Sequence, residues 1–125
     1  MSKLTKGDLV YVAGSYTPTN AKTNHDHVRF TQWNVDKAID VGIRLIRLRF
    51  VAVIPHLSHY IQLRMAEDFA EGWYDYDNRL LDACNAILMM DNWRESKGAT
   101  AEYYRAKNNG QIILHMNDLV EMEKK

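Results

Sequence analysis

Five-residue apolar runs recur along the chain, at residues 9–13 (Leu-Val-Tyr-Val-Ala), 50–54 (Phe-Val-Ala-Val-Ile) and 86–90 (Ala-Ile-Leu-Met-Met), and a fourth run, 111–115 (Gln-Ile-Ile-Leu-His), has an apolar centre. Short runs rich in branched side chains and without polar alternation predict strands buried on both faces. The segments between them carry a helical period. Val35, Ala38, Ile39, Gly42, Ile43 and Ile46 step by 3, 1, 3, 1 and 3, which predicts an amphipathic helix starting near Asn24 or Asp26 with Asp40, Arg44 and Arg47 on its outer face. Ile61, Leu63, Met65, Ala66 and Phe69 predict a helical region over residues 60–70, broken at Gly72, and a further helix follows over 76–84. Ser96-Lys97-Gly98-Ala99 opens another helix that Gly110 closes, and residues 117–125 predict a short charged helix.

The order is β-α-β-α-α-β-α-β-α. Strands alternating with helices predict a parallel sheet covered on both faces, and right-handed crossovers reduce the simplest arrangement to strand order 2-1-3-4. This is a Rossmann-like (flavodoxin-like) three-layer α/β sandwich. In such sheets ligands bind beside the carboxyl ends of the strands, where the strand order reverses. That switch point brings the loop at Gly14 and Ser15 next to the segment 91–98. The organising stretch is the third strand with the loop and helix after it, because a strand end followed by a helix start presents free backbone N–H groups and a favourable dipole.

Composition narrows the function classes. The chain has 125 residues, the size of a single domain spanning 1–125. Sixteen basic residues balance 16 acidic ones, which gives no bulk attraction for a nucleic acid polymer or an anionic membrane. No apolar run approaches the roughly 20 residues of a membrane span, and the first six residues lack a signal-peptide apolar region. The single cysteine, Cys84, suits a reducing compartment, so a cytoplasmic setting is expected. His25, His27, His56 and His59 lie on polar segments without a cysteine or carboxylate at zinc-like spacing, so no metal is expected. His56, at the exit of the second strand, is expected as a hydrogen-bonding group near the pocket, and the Trp73, Tyr74 and Tyr76 cluster as core or a subunit contact, with one ring able to stack on a base.

The residues expected around the crevice are Tyr11, Gly14, Ser15, Asp77, Asp91, Trp93, Arg94, Ser96, Gly98 and Glu102. On its own, Ser96-x-Gly98-x-x-x-Glu102 is also the pattern of a capping serine with an acid in the following turns. Taken with Tyr11-Val-Ala-Gly-Ser in the first strand, Asp77 eight residues before Asn85, Ala106 and Gly110, it resembles the nucleoside 2-deoxyribosyltransferase superfamily, which includes 2′-deoxynucleoside 5′-monophosphate N-glycosidases and short phage and bacterial relatives. The resemblance runs from about Leu9 to Leu114.

The resemblance implies an enzyme that cleaves the N-glycosidic bond of a nucleoside or, by preference, a nucleoside 5′-monophosphate, through hydrolysis or base transfer. Glu102 matches the glutamate nucleophile at C1′, Asp77 the aspartate that assists the leaving base, and Tyr11 the tyrosine that orients the glutamate. Ser96 matches the serine that holds the 5′-phosphate in the monophosphate branch, and Gly14 and Ser15 match the loop near sugar and phosphate; Asp91, Trp93 and Gly98 complete the expected substrate-binding set. No cofactor is implied, and a homodimer or higher homo-oligomer is. Two features depart from the family. Asn85 stands where many relatives carry an acid, and the loop 91–95 differs from both characterised branches. Two alternatives stand beside the enzyme. One is a non-catalytic nucleotide sensor or sequestering protein on the same fold; the other is a flavodoxin-like interaction domain.

Overall fold

The computed structural model describes residues 4–125; residues 1–3, at the head of the stretch read for a signal sequence, lie outside the described residues. Strand β1 (Leu9–Ala13) is followed by α1 (Asn24–Arg47), β2 (Val51–Val53), a 3₁₀ turn (Pro55–Leu57), α2 (Ser58–Arg64), α3 (Ala70–Asp82), β3 (Ala86–Met89), a second 3₁₀ turn (Trp93–Glu95), α4 (Lys97–Asn108), β4 (Ile112–His115) and α5 (Met116–Glu123). The four strands form one sheet in the order β2-β1-β3-β4. Every pairing is parallel, with Tyr11 opposite Val53 on one side and Ile87 on the other. The expected strands, their order and their direction are those observed.

The pleat of β1 and β3 sends alternate residues into two cores. Val10, Val12, Ala86 and Leu88 face Ala38, Val41 and Leu45 of α1 and Leu119 of α5. Tyr11, Ala13, Ile87 and Met89 face Leu81 of α3 and Ala99 and Ala106 of α4. Asn85, just before β3, accepts the backbone N–H of Leu9 through its side-chain oxygen at 2.8 Å, which ties the amino ends of β1 and β3 together. An acid is absent from that position in a place where this chain uses the amide for the sheet.

Two helices differ from expectation. In α1 the buried residues are Thr31, Val35, Ala38, Val41, Gly42 and Leu45, whereas Ile43 and Ile46, expected inside, are 39% and 54% exposed. Gly42 sets this phase, because a Cβ there would stand 2.3 Å from Cδ1 of Ile54 and 3.7 Å from Cβ of Ala52. The helix presses its glycine onto the β2 side of the sheet, and the isoleucines rotate to the flank. Arg44, expected among solvated charges, reaches α5 instead and pairs with Glu123 through Nε at 2.8 Å and Nη2 at 2.5 Å. The second difference is α3, which starts at Ala70, runs through Gly72 and reaches Asp82, while α2 stops at Arg64. The Phe69 ring lies where a Cβ on Gly72 would be, with its Cζ 2.2 Å away, so Gly72 makes room for Phe69 rather than ending the helix. Gln62 fixes the connection between the helices: Oε1 accepts from the Phe69 backbone and the Trp73 indole, and Nε2 donates to the Glu67 carbonyl.

Candidate active site

At the carboxyl ends of the strands lies a cleft of about 580 Å³. Its walls come from the loop after β1 (Gly14, Tyr16, Thr17, Thr19), the exit of β2 (Pro55, His56, Ser58), the α2–α3 region (Gln62, Asp68, Trp73, Tyr74, Asp77) and the start of α4 with Glu102. This is the crevice expected at the switch point.

Three of the expected site residues meet here, Asp77 and Glu102 in the cleft lining and Tyr11 behind Glu102. Tyr11 is fully buried, and its hydroxyl donates to Oε2 of Glu102. Burial, followed by the negative charges of Glu102 and Asp77, holds the Tyr11 phenol far above its ordinary range, so it stays a donor. The Glu102 carboxyl is pushed up to about 7; burial is the main cause, the Tyr11 hydrogen bond acts in the opposite direction, and the charge of Asp77 adds to the rise. Asp77 is pushed up to about 6 by burial, and its Oδ1 is buried without a hydrogen-bond partner. Two carboxyl groups from α3 and α4 thus meet at the floor, the charge of Asp77 reaching Glu102; one is held by a phenol from β1 and the other has an oxygen without a partner.

Gly14 and Ser15 join the two loops of the switch point. A Cβ on Gly14 would lie 2.6 Å from Sδ of Met90 and 3.2 Å from Oδ1 of Asn92, so only glycine lets the β3 exit pack this closely. The Ser15 N–H donates to Asn92 Oδ1, and its hydroxyl to the Asn92 carbonyl, both at 3.3 Å. Gly14 lines the cleft, while Ser15 spends its polar groups on the neighbouring loop. Ser96 is the N-cap of α4, its Oγ accepting the Ala99 N–H at 3.1 Å. Ser96, Lys97, Gly98 and Ala99 all line the cleft, and a Cβ on Gly98 would meet only Ser96 Oγ, at 3.8 Å.

Besides Tyr11 and Ser15, three residues expected around the crevice lie outside its lining, among them Arg94, which is exposed with its guanidinium 4.8 Å from the Trp93 ring centroid. Asp91 is exposed and borders a separate depression of about 300 Å³ with Lys37, Asp40 and Arg44. Trp93 is a core residue, 8% exposed and stacked on Tyr103 with ring centroids 4.7 Å apart. The 3₁₀ turn at Trp93–Glu95 folds the indole under α4, so the loop turns Glu95 rather than Trp93 toward the cleft.

Several wall residues escaped the sequence reading. Asp68 and Gln62 belong to the misplaced boundary between α2 and α3, and Lys97 entered only as part of the stretch that opens α4. His56 was placed near the pocket, but its geometry is legible only in three dimensions. It is 4% exposed, with Nε2 3.2 Å from both the Gly14 and Ser15 carbonyl oxygens and with Nδ1 buried and unpartnered. Leaving such a lone pair unmatched costs about 1–3 kcal/mol. Among the described residues, no three His, Cys, Asp or Glu side chains gather as a metal site requires, and no helix is long and apolar enough to cross a membrane.

Comparison with known proteins places this geometry in context. A solved structure, the 2-desoxiribosyltransferase from Leishmania mexicana, is similar to 86% of this chain with a TM-score of 0.52 and 15% sequence identity. The chain spans 63% of the length of that protein, and at this identity the likeness shows a shared fold. No curated protein matches the chain. A family model matches residues 8–115, from the start of β1 to the end of β4, and the chain therefore belongs to the family described as Domain of unknown function (DUF4406).

Proposed function

We propose that the chain cleaves the N-glycosidic bond of a nucleoside 5′-monophosphate, by hydrolysis or by transfer of the base. The observation that carries this reading is the pair of carboxyl groups, Glu102 held by Tyr11 and Asp77 beside it, on the floor of a cleft of about 580 Å³. Loss of the base leaves positive charge on the sugar. A carboxylate at C1′ stabilises that charge and forms an ester with the carbon while the C1′–N bond breaks. Asp77 in its protonated form gives its proton to the departing nitrogen. Water or a second base then attacks C1′ and passes its proton to the Asp77 carboxylate, the ester bond breaks and Glu102 returns as the carboxylate. Tyr11 positions Glu102 throughout. The transferase named above supports this chemistry through its fold.

The phosphate has a place at the start of α4. Ser96 Oγ accepts from the helix and keeps its hydrogen for a ligand, Lys97 adds a positive charge, and the helix dipole favours an anion. A second reading, an uncharged nucleoside as substrate, is favoured by the acids of the lining: Asp68, Asp77, Glu95 and Glu102 stand against Lys97 alone.

Incubation with a panel of nucleosides and nucleotides, with free base measured by chromatography, tests the reaction. Glu102→Gln should bind substrate and lose base release by several orders of magnitude, since the interaction removed is specific to the transition state. Near-parental turnover in that variant would remove Glu102 from the chemistry. A parent that binds nucleotides and releases no base is instead a binding protein on the same fold. Ser96→Ala chooses between substrates. With phosphate at the helix start, kcat/KM for the monophosphate should fall roughly ten- to hundredfold while the nucleoside is hardly affected. An equal, modest effect on both makes Ser96 a cap alone and the nucleoside the substrate.

A further inference from the structure

The chemistry above uses Tyr11, Asp77, Glu102 and the start of α4, and leaves His56 without a task. Its geometry specifies one. Both neighbours of Nε2 are carbonyl oxygens, of Gly14 and Ser15, so this nitrogen carries the hydrogen and donates. Burial holds the imidazole pKa below its ordinary value, which keeps the ring neutral. Nδ1 then bears a lone pair and can only accept. It is buried, has no partner, and belongs to a residue that lines the cleft. The Tyr16 ring stands edge-on to the imidazole with centroids 6.4 Å apart, is 37% exposed and lines the same cleft, its hydroxyl hydrogen-bonded to His59 Nδ1 at 2.8 Å.

The sheet order places His56 relative to the rest of the site. His56 follows β2 and Ser96 follows β3, and these strands flank β1 on opposite sides. A ligand with its anionic end at α4 therefore presents its other end to His56. The cleft lining also carries the Asp68 carboxylate, a second group that accepts, with Oδ1 already taking the Ala70 N–H at 3.0 Å. An imide N–H, flanked by two carbonyl oxygens, brings like partial charges toward such a wall. An exocyclic amine brings two hydrogens.

We infer that His56 reads the base through Nδ1 and selects ligands whose base carries an exocyclic amine over those with an oxygen in its place. That the donor sits on a nucleobase rests on the function proposed above; that the site requires a donor rests on His56 alone.

The test is calorimetric binding to the full chain carrying Glu102→Gln, which prevents turnover. Two ligand pairs each exchange an amine for an oxygen: the 5′-monophosphates of 2′-deoxyadenosine and 2′-deoxyinosine, and those of 2′-deoxycytidine and 2′-deoxyuridine. In at least one pair the amino member should bind about tenfold more tightly, the size of one hydrogen bond. His56→Gln places an amide nitrogen where Nε2 was and no acceptor where Nδ1 was, so it should reduce that ratio to about one. His56→Asn places an amide oxygen near the Nδ1 position and should retain the preference. Equal binding within both pairs, no binding of any of the four, or a preference that survives His56→Gln would each overturn the inference. The parent ratio decides even if a variant fails to fold. Amine preference without any base release by the wild-type chain leaves this inference standing and removes the catalytic one; base release without amine preference does the reverse.

Discussion

Glu102 and Asp77 titrate close to neutrality because each has exchanged water for protein, and the proposed reaction needs them in opposite states. Glu102 must be ionised to meet C1′, so activity should rise as pH passes through about 7. Asp77 must carry a proton, so activity should fall as pH passes through about 6. Both conditions are met only in part at any pH, and kcat/KM should form a narrow bell whose crest lies between those two values. Asp77→Asn should lose roughly 10²–10⁴ in rate and also lose the alkaline limb, while the acid limb of Glu102 remains. A pH–rate profile flat from about pH 5 to about pH 8 would separate these carboxyl groups from the reaction. Tyr11 takes no part in the titration, since burial and two acidic neighbours keep its proton in place.

At the scale of elements, the site is made by what happens just after each strand. The β1 exit needs Gly14 because Met90 and Asn92 from the β3 exit occupy the space of a side chain. The β3 exit makes a 3₁₀ turn before α4, and that turn decides which way each of its residues points. Trp93 goes inward against Tyr103 and the core, and Asp91 goes to the other side of the loop. Their substitutions should therefore report on different things. Trp93→Ala should cost about 3–5 kcal/mol of stability by emptying a core position, and Trp93→Phe much less, with substrate preference unchanged in both. Asp91→Ala should leave kcat/KM within about twofold, as expected for an exposed change remote from the site. Thermal unfolding followed alongside base release checks both; a selective change in KM from either variant would return that residue to the cleft.

At the scale of the molecule, two apolar cores clamp the sheet and hold a costly site at its edge. The Glu102 pKa is raised from 4.5 to about 7, so the folded state disfavours the charged form. The stability tied to this group is fully present below about 4.5 and is lost as pH rises through about 7, by about 3 kcal/mol. Glu102→Gln removes the charge and keeps the shape. Its Tm should exceed that of the parent at about pH 8, and the gap should close near pH 5. A variant less stable than the parent at both values would mean that the Tyr11–carboxylate bond outweighs the burial of charge.

Residue pattern was enough to specify the strands and their parallel order, and the family resemblance pointed to Tyr11, Asp77 and Glu102 as the site residues. Buried strands announce themselves by continuous apolar runs, and a β-α alternation admits few right-handed windings. Those windings bring the ends of β1 and β3 side by side whatever the details of the loops. Packing between distant segments settled the rest. The phase of α1 came from the contact of Gly42 with Ile54, the start of α3 from the Phe69 ring over Gly72, and the burial of Trp93 from a single 3₁₀ turn. His56 gained its fixed hydrogen from two carbonyl groups 41 and 42 residues away in the chain. Each of these rests on one close contact between distant segments. Periodicity records which residues an element can bury, and only the partner that arrives decides which ones it does.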